Sequence, residues 1–520
     1  MVINEMKFES NKKAVKAVAR AQKPRSFRNP RCAEWAAHHA PNMSDFENAD
    51  ILKLLKEYAK KDILPLHMPG HKRGHTLLGA GLPWQIDVTE IADFDNLHNP
   101  AGILQKSMEK ACALWQSDRA FFSVGGSTAC ILAGIRACVK YGDKILVARN
   151  CHKSVFNAIE LCGLFPVYID PAIDSAFNIC GSINPESVIQ ALSLHPCIKL
   201  AVITSPTYEG VISDIACIAS VLHEKNIPLM VDEAHGAHLY FSGTLPKGAL
   251  YYNADIVVHS LHKTLSGLTQ TAVLHANGNY VDFEKIAHQM TVFQSSSPSY
   301  ILLASIDHCI CLLKQHGKTL THQWQKRLSG FDRKISSLKY LRVLCHGSDQ
   351  LKKHPEIFDF DKGKLVIDVQ RTNFKGKQFS SILLDKYKIQ TEFEMVSYVL
   401  AMTSLFDEEK TFDILAKALL DTDIPAGAHK KELFAHPHSA EQKISIADAV
   451  SSPHTFLPFD KSLGYISAEY IWAYPPGIPL IVPGQTINRE LTELVPSLIE
   501  AGIAVHSTYR QVPASVYVVK

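Results

Sequence analysis

The feature that most constrains this 520-residue chain is an alternation of two hydrophobic periods between Ser107 and Ala276. Ser107–Gln116, Ser127–Tyr141, Ser154–Cys162 and Asp214–Glu224 have helical spacing; in the last, Ile215, Ile218, Ala219 and Leu222 fall at i, i+3, i+4 and i+7. Between these segments lie apolar runs too short for helices: Lys144–Val147, Leu200–Thr204, Leu229–Val231, Ile256–Val258 and Thr271–Leu274. Helices between short buried strands require parallel crossovers, so the pattern predicts an α/β sheet covered on both faces. In such sheets ligands sit at the carboxyl ends of the strands. A short helix precedes this region, with Ile51, Leu54, Leu55 and Tyr58 on one face, followed by a Pro-, Gly- and His-rich loop from Pro65 to His75. Beyond about residue 315 the pattern weakens to strands at Lys364–Val369 and Tyr398–Met402 and a helix at Phe412–Leu420, a smaller α+β domain. The expected organisation is therefore a tail over 1–42, an N-terminal arm and large domain over 43–315, and a small C-terminal domain over 316–520.

The tail carries nine Lys or Arg against three Glu and few large apolar residues, the composition of a disordered segment. It can also be read as a targeting peptide, or as upstream of a start at Met43; it has no apolar core of the secretory type. The net charge of +3 is too small to argue for nucleic acid or an anionic membrane. No apolar run reaches membrane-spanning length, and Ala129–Val139 is broken by Arg136. Twelve cysteines include no CxxC, and the closest pair is Cys309 and Cys311. This argues against a disulfide framework or a metal site and for a reducing, cytoplasmic setting.

Four short segments fall where chemistry is expected. Gly125-Gly126-Ser127-Thr128 precedes a helix, where backbone N–H groups, two hydroxyls and the helix dipole can hold a phosphate; the same residues also suit an ordinary N-cap. Asp232 ends a strand, where a carboxylate can keep a pyridine nitrogen protonated or simply cap the next loop. Ser260-Leu261-His262-Lys263-Thr264 follows another strand. In a dry pocket Lys263 can lose its proton and form an imine, with Ser260 as a phosphate donor and His262 as a proton donor, whereas most lysines lie on the surface. Asn150-Cys151-His152 follows a third, and His152 can stack on a flat cofactor or serve structure alone. In chain order these read as phosphate loop, stacking residue, Asp and Lys at the strand ends of one sheet, which is the pattern of fold-type I (aspartate aminotransferase-like) pyridoxal 5'-phosphate (PLP) enzymes.

Longer stretches sharpen this. Leu66–Lys72, Asp95–His98, Ser205–Gly210, Asp232–His238, Ser260–Thr264, Gln294–Tyr300 and Tyr474–Pro479 make the chain resemble the bacterial ornithine/lysine/arginine decarboxylases over roughly residues 50–310 and again near 474. The resemblance implies Lys263 as the imine lysine, Asp232 at the ring nitrogen, and His152 stacked on the ring. It implies Ser127, Thr128 and Ser260 at the phosphate, His235 near the ring hydroxyl, and His262 in protonation. The Tyr474–Pro479 turn would lie near the substrate entrance. Asp95 and Ser297-Pro298 would approach the active site near a dimer interface, which implies a homodimer. The expected reaction is PLP-dependent decarboxylation of arginine, lysine or ornithine to agmatine or a diamine, in polyamine metabolism, with Asp95, Glu392 or Glu394 receiving the distal cation.

Two departures from the family pattern stand out. The segment before His67 leaves no room for the N-terminal wing domain of the ring-forming members, so a short form without decamers is expected. Gln485 stands where the family usually has Glu, a change that alters the choice of cationic side chain or is structural. The alternatives are another fold-type I reaction, such as transamination or aldol-type cleavage, and a non-catalytic binding relative. An aminotransferase ordinarily clamps the α-carboxylate with a small-domain Arg, and no such Arg is evident here.

Overall fold

The computed structural model describes residues 51–61, 67–69, 71–72, 82–425, 440–474, 478–500 and 502–520. The expected tail over 1–42 and the centre of the Tyr474–Pro479 turn lie outside the described residues. So does most of the Pro65–His75 loop.

The α/β region contains seven strands of four residues or more: β1 (Arg119–Ser123), β2 (Lys144–Ala148), β3 (Phe165–Ile169), β4 (Ile198–Thr204), β5 (Leu229–Asp232), β6 (Ile256–Ser260) and β7 (Ala272–Ala276). The chain clusters into two compact units. One comprises the described residues up to Cys138 together with Ile215–Tyr240 and Lys247–Gly317; the other comprises Val139–Asp214, Phe241–Pro246 and the described residues from Lys318 onward.

In the first unit the strand order is β1-β7-β6-β5. Every residue of β5, β6 and β7 is buried. Such uniformly apolar runs are what a strand covered on both faces requires. Each buried Val, Ile or Leu side chain contributes on the order of 1.5–3 kcal/mol. β5 and β6 are parallel, as the crossover pattern predicts, but β7 runs antiparallel to β6, and β1 antiparallel to β7. A parallel crossover ordinarily carries a helix that packs back across the sheet, and the Leu261–Thr271 connection holds only a single helical turn at Leu261–Thr264.

Helix Ile103–Trp115 begins four residues before the expected Ser107. The side chain of Asp95 accounts for this, because it accepts the N–H groups of Gly102 and Leu104 at 2.7 and 3.0 Å and so satisfies the first helical turn from outside it. Helix Gly126–Cys138 follows β1 directly and packs on β6 and β7. Buried Asp307, in helix Tyr300–Lys334, pairs with Lys110 at 3.0 Å and accepts from Ser107 and from the backbone of Ile51.

In the second unit the strand order is β4-β2-β3, all parallel. A four-stranded antiparallel sheet follows, in the order Arg342–Val343, Lys364–Asp368, Tyr398–Met402, Phe393–Glu394. Its core gathers Phe177, Val211, Val366, Phe393 and Leu400. A further layer around Ile471, Ile481, Leu491 and Val516 closes the C-terminal part. No described helix is long and apolar enough to cross a membrane.

Candidate active site

β5 and β6 lie side by side, and the candidate residues lie at their ends. Lys263 sits in the single helical turn after β6, and its Nζ lies 3.1 Å from Nε2 of His235, on the loop after β5. Asp232, the last residue of β5, is buried, and its Oδ1 accepts the N–H of Ala234 at 3.2 Å. Burial raises its pKa, while the positive charge of Lys263 pulls it back down. A carboxylate in this setting remains ionised only beside a cation.

His262 is half-buried, and its Nδ1 donates to the carbonyl of Thr271 at 3.1 Å. A carbonyl only accepts, so this bond fixes the tautomer and leaves Nε2 as the atom that takes or returns a proton. Burial, helped by Lys263, lowers its pKa and favours the neutral ring. Ser260 is fully buried, yet its Oγ has no hydrogen-bond partner, and Thr264 Oγ1 is in the same condition. Buried hydroxyls are ordinarily satisfied, and orphans next to a lysine at a strand end mark a place for a missing acceptor or donor.

The Gly125–Thr128 segment belongs to the same unit. Gly126 has φ +71° at the start of its helix, a left-handed conformation that glycine adopts without penalty. Its N–H donates to Gln270 O at 2.9 Å, and Ser123 Oγ donates to its carbonyl at 3.0 Å. Ser127 is half-buried and Thr128 exposed, both in the first helical turn, where N–H groups have no intrahelical acceptor. Gln294 holds this loop from behind, accepting the N–H of Val124 at 3.0 Å and donating to Phe122 O at 3.2 Å. It lay within one of the matching stretches, but nothing in the sequence tied it to the phosphate loop.

His152 lies in the second unit, where it caps helix Lys153–Leu161: Nδ1 accepts from Ser154 N at 3.2 Å and meets Ser154 Oγ at 2.8 Å. Three residues earlier, Arg149 donates to the carbonyls of Pro479 and Leu480 at 2.6 and 3.0 Å, which ties the end of the Tyr474–Pro479 stretch to the end of β2.

The candidates for the distal cation separate. Asp95 spends its carboxylate on four backbone N–H groups, those of Asn96, Ala101, Gly102 and Leu104. Burial pushes its pKa up, but these bonds outweigh it and the carboxyl stays below its usual range. Its loop does meet the Ser295–Tyr300 segment, through His98 Nε2 to Ser295 O at 2.7 Å and Tyr300 OH to Asp95 O at 2.5 Å. Glu392 is exposed and accepts the Tyr208 hydroxyl, while Glu394 is half-buried in a short edge strand. Gln485 is fully buried; it accepts Val482 N at 3.1 Å and donates to Ala440 O at 3.0 Å. An ionised Glu could not make the second bond, so the amide serves the local fold.

Residues 50–392 match the Orn/Lys/Arg decarboxylase major domain, and 428–501 match the C-terminal domain of the same family. The chain belongs to the Orn/Lys/Arg decarboxylase family. An arginine decarboxylase of Bacillus anthracis is 31% identical over 474 residues, 89% of this chain and 95% of that protein. The lysine decarboxylase LdcF of Francisella novicida superimposes with a TM-score of 0.78 at 19% identity, over 90% of this chain and 80% of that one. The structure of SPT with PLP internal aldimine matches at a TM-score of 0.51 and 11% identity, over 72% and 83% of the two chains. The fold is accordingly the α/β fold of the fold-type I enzymes, as the motif order predicts, and as a member of this family the chain is a decarboxylase.

Proposed function

We propose that this chain is a PLP-dependent decarboxylase of a basic amino acid, arginine, lysine or ornithine, releasing agmatine or a diamine and acting as a cytoplasmic homodimer. The carrying observation is the group at the ends of β5 and β6: Lys263 Nζ at 3.1 Å from His235, beside a buried Asp232 and the orphaned Ser260 hydroxyl. Relatives named arginine decarboxylase and lysine decarboxylase support the substrate class.

These residues suit PLP. A buried carboxylate that needs a cation matches a protonated pyridine nitrogen. An unpartnered buried hydroxyl beside a helix start rich in N–H donors matches a phosphate. Lys263 would hold the cofactor through Nζ, Asp232 would face the ring nitrogen and His235 the ring hydroxyl. Ser127, Thr128 and Ser260 would take the phosphate, and His152 would stack on the ring. When bound, PLP supplies an electron sink for the pair released as the Cα–carboxylate bond breaks. The protein's part is to orient that bond and place protons. His262 presents Nε2 as the proton-carrying atom because Nδ1 is committed to Thr271, and Lys263 Nζ is the second candidate to return a proton to Cα. We place the small domain at 316–520 and the large domain with its arm at 43–315.

The test is the purified protein with PLP and each of the three amino acids. The reading expects amine and carbon dioxide in equal amounts from at least one, and a keto acid without carbon dioxide would replace it with transamination.

A further inference from the structure

Two buried residues beside the site have no part in the chemistry above. Glu233 follows Asp232, and His259 precedes Ser260. The backbone pairing of β5 with β6 runs Met230 to Ile256, Val231 to Val257 and Asp232 to Val258, and stops there. The next position in this register is Glu233 opposite His259, and there the side chains meet instead, Glu233 Oε2 lying 2.7 Å from His259 Nε2. Glu233 and His259 are 2% and 0% exposed. Glu233 also accepts Tyr240 OH at 2.5 Å and Ala249 N at 2.8 Å, and Tyr240 OH accepts Leu250 N at 3.2 Å. The Tyr240 ring occupies the space above Gly248, where a Cβ would come within 2.1 Å of it. Trp115 and His275 flank His259, with ring centroids at 5.6 and 4.8 Å.

We propose that Glu233 and His259 form a side-chain rung that extends the β5–β6 pairing one position beyond its last backbone pair, and so fixes the spacing between the Asp232–His235 loop and the Ser260–Lys263 loop. They are positioning residues; they act on the cofactor through Asp232 and Lys263. Burial raises the Glu233 carboxyl to about 8 and lowers His259 to about 3, so it favours the neutral form of both partners. Glutamine at 233 keeps an amide N–H for the imidazole and an oxygen for Ala249 N, whereas leucine keeps neither.

The inference rests on the reading that Lys263 and Asp232 hold PLP, and the experiment separates the two. Cofactor affinity and the absorption band of bound PLP are measured for wild type, Glu233→Gln, Glu233→Leu and the double variant Glu233→Leu/His259→Leu, with thermal melts of each. If wild type itself binds no PLP with a band that Lys263→Ala abolishes, the reading of the site fails. Given that band, Glu233→Gln is expected to keep affinity within about threefold, and Glu233→Leu to weaken it roughly tenfold and displace the band. The double variant removes the unpaired imidazole but, like Glu233→Leu, leaves Tyr240 OH and Ala249 N without their acceptor, so it should regain part of the lost melting temperature without regaining affinity. A double variant with wild-type affinity and band overturns the inference, as does a stable Glu233→Gln that loses affinity as Glu233→Leu does. Should both leucine variants fail to fold, His259→Asn, too short to keep the 2.7 Å contact, makes the same comparison.

Discussion

Two buried polar clusters of this protein are built on opposite accounting. In the second unit His354 is 2% exposed, and each ring nitrogen meets a carboxylate, Nδ1 with Asp174 at 2.7 Å and Nε2 with Asp349 at 2.8 Å. The carboxylates in turn accept the backbone N–H groups of Phe177 and Cys345 at 2.8 Å. At the ends of β5 and β6 the burial is similar, but Ser260 and Thr264 keep hydroxyls with no partner, and burial raises the Asp232 carboxyl further than the charge of Lys263 pulls it back. The first cluster is finished by the protein alone, as most buried polar groups are. On the function proposed above, the second is completed by the cofactor.

That contrast can be broken by substitutions. The largest effect is expected for Lys263→Ala, which should lower decarboxylation about a thousandfold or more and abolish the absorption band of bound PLP, with little change in the melting of the cofactor-free protein. His354→Leu should do the reverse. Leaving buried Asp174 and half-buried Asp349 without their partner is expected to cost roughly 3–5 kcal/mol in denaturant unfolding, while cofactor affinity per folded molecule stays unchanged. Gln485→Glu tests a buried amide of the finished kind: losing its donor to Ala440 should cost about 1–3 kcal/mol, and the preference among arginine, lysine and ornithine should not move. Ser260→Ala sharpens the contrast from the other side, because an orphaned hydroxyl contributes nothing without ligand. Its removal should leave apo stability within about 0.5 kcal/mol and weaken PLP binding about tenfold.

A pH slope tests the rung beside the site. Burial, the largest influence on Glu233, raises its pKa from 4.5 to about 8. A carboxyl raised on folding stabilises fully below its unfolded pKa, and that contribution is lost as pH rises through the folded one. Glutamine has no such proton to lose. The melting temperature of Glu233→Gln relative to wild type should therefore climb as pH rises from about 4.5 through about 8, and a flat difference would mean the carboxyl is ionised throughout.

Most of the candidate site was legible because it depends on order along the chain. Asp232 and Lys263 each follow a short apolar run, and strand ends are where an α/β sheet places chemistry. What register and distant contacts decide was not legible. The reversal of β7 goes with a connection that holds a single helical turn, which hydrophobic period does not reveal. The early start of helix Ile103–Trp115 depends on a cap from Asp95, outside the helical pattern. The Glu233–His259 rung joins residues far apart in sequence whose pairing exists only once β5 and β6 are in register. Gln485 carried a signal, a departure from Glu, but the sequence could not tell a specificity change from a local amide; the bond to Ala440 gives it the local role.

The most direct measurement follows carbon dioxide and amine released from arginine, lysine and ornithine by the PLP-loaded protein, with Lys263→Ala alongside. The account expects stoichiometric amine and carbon dioxide from at least one of them, and none with the alanine variant. Release of neither product from any of the three by a protein that binds PLP, or release undiminished in Lys263→Ala, would contradict it.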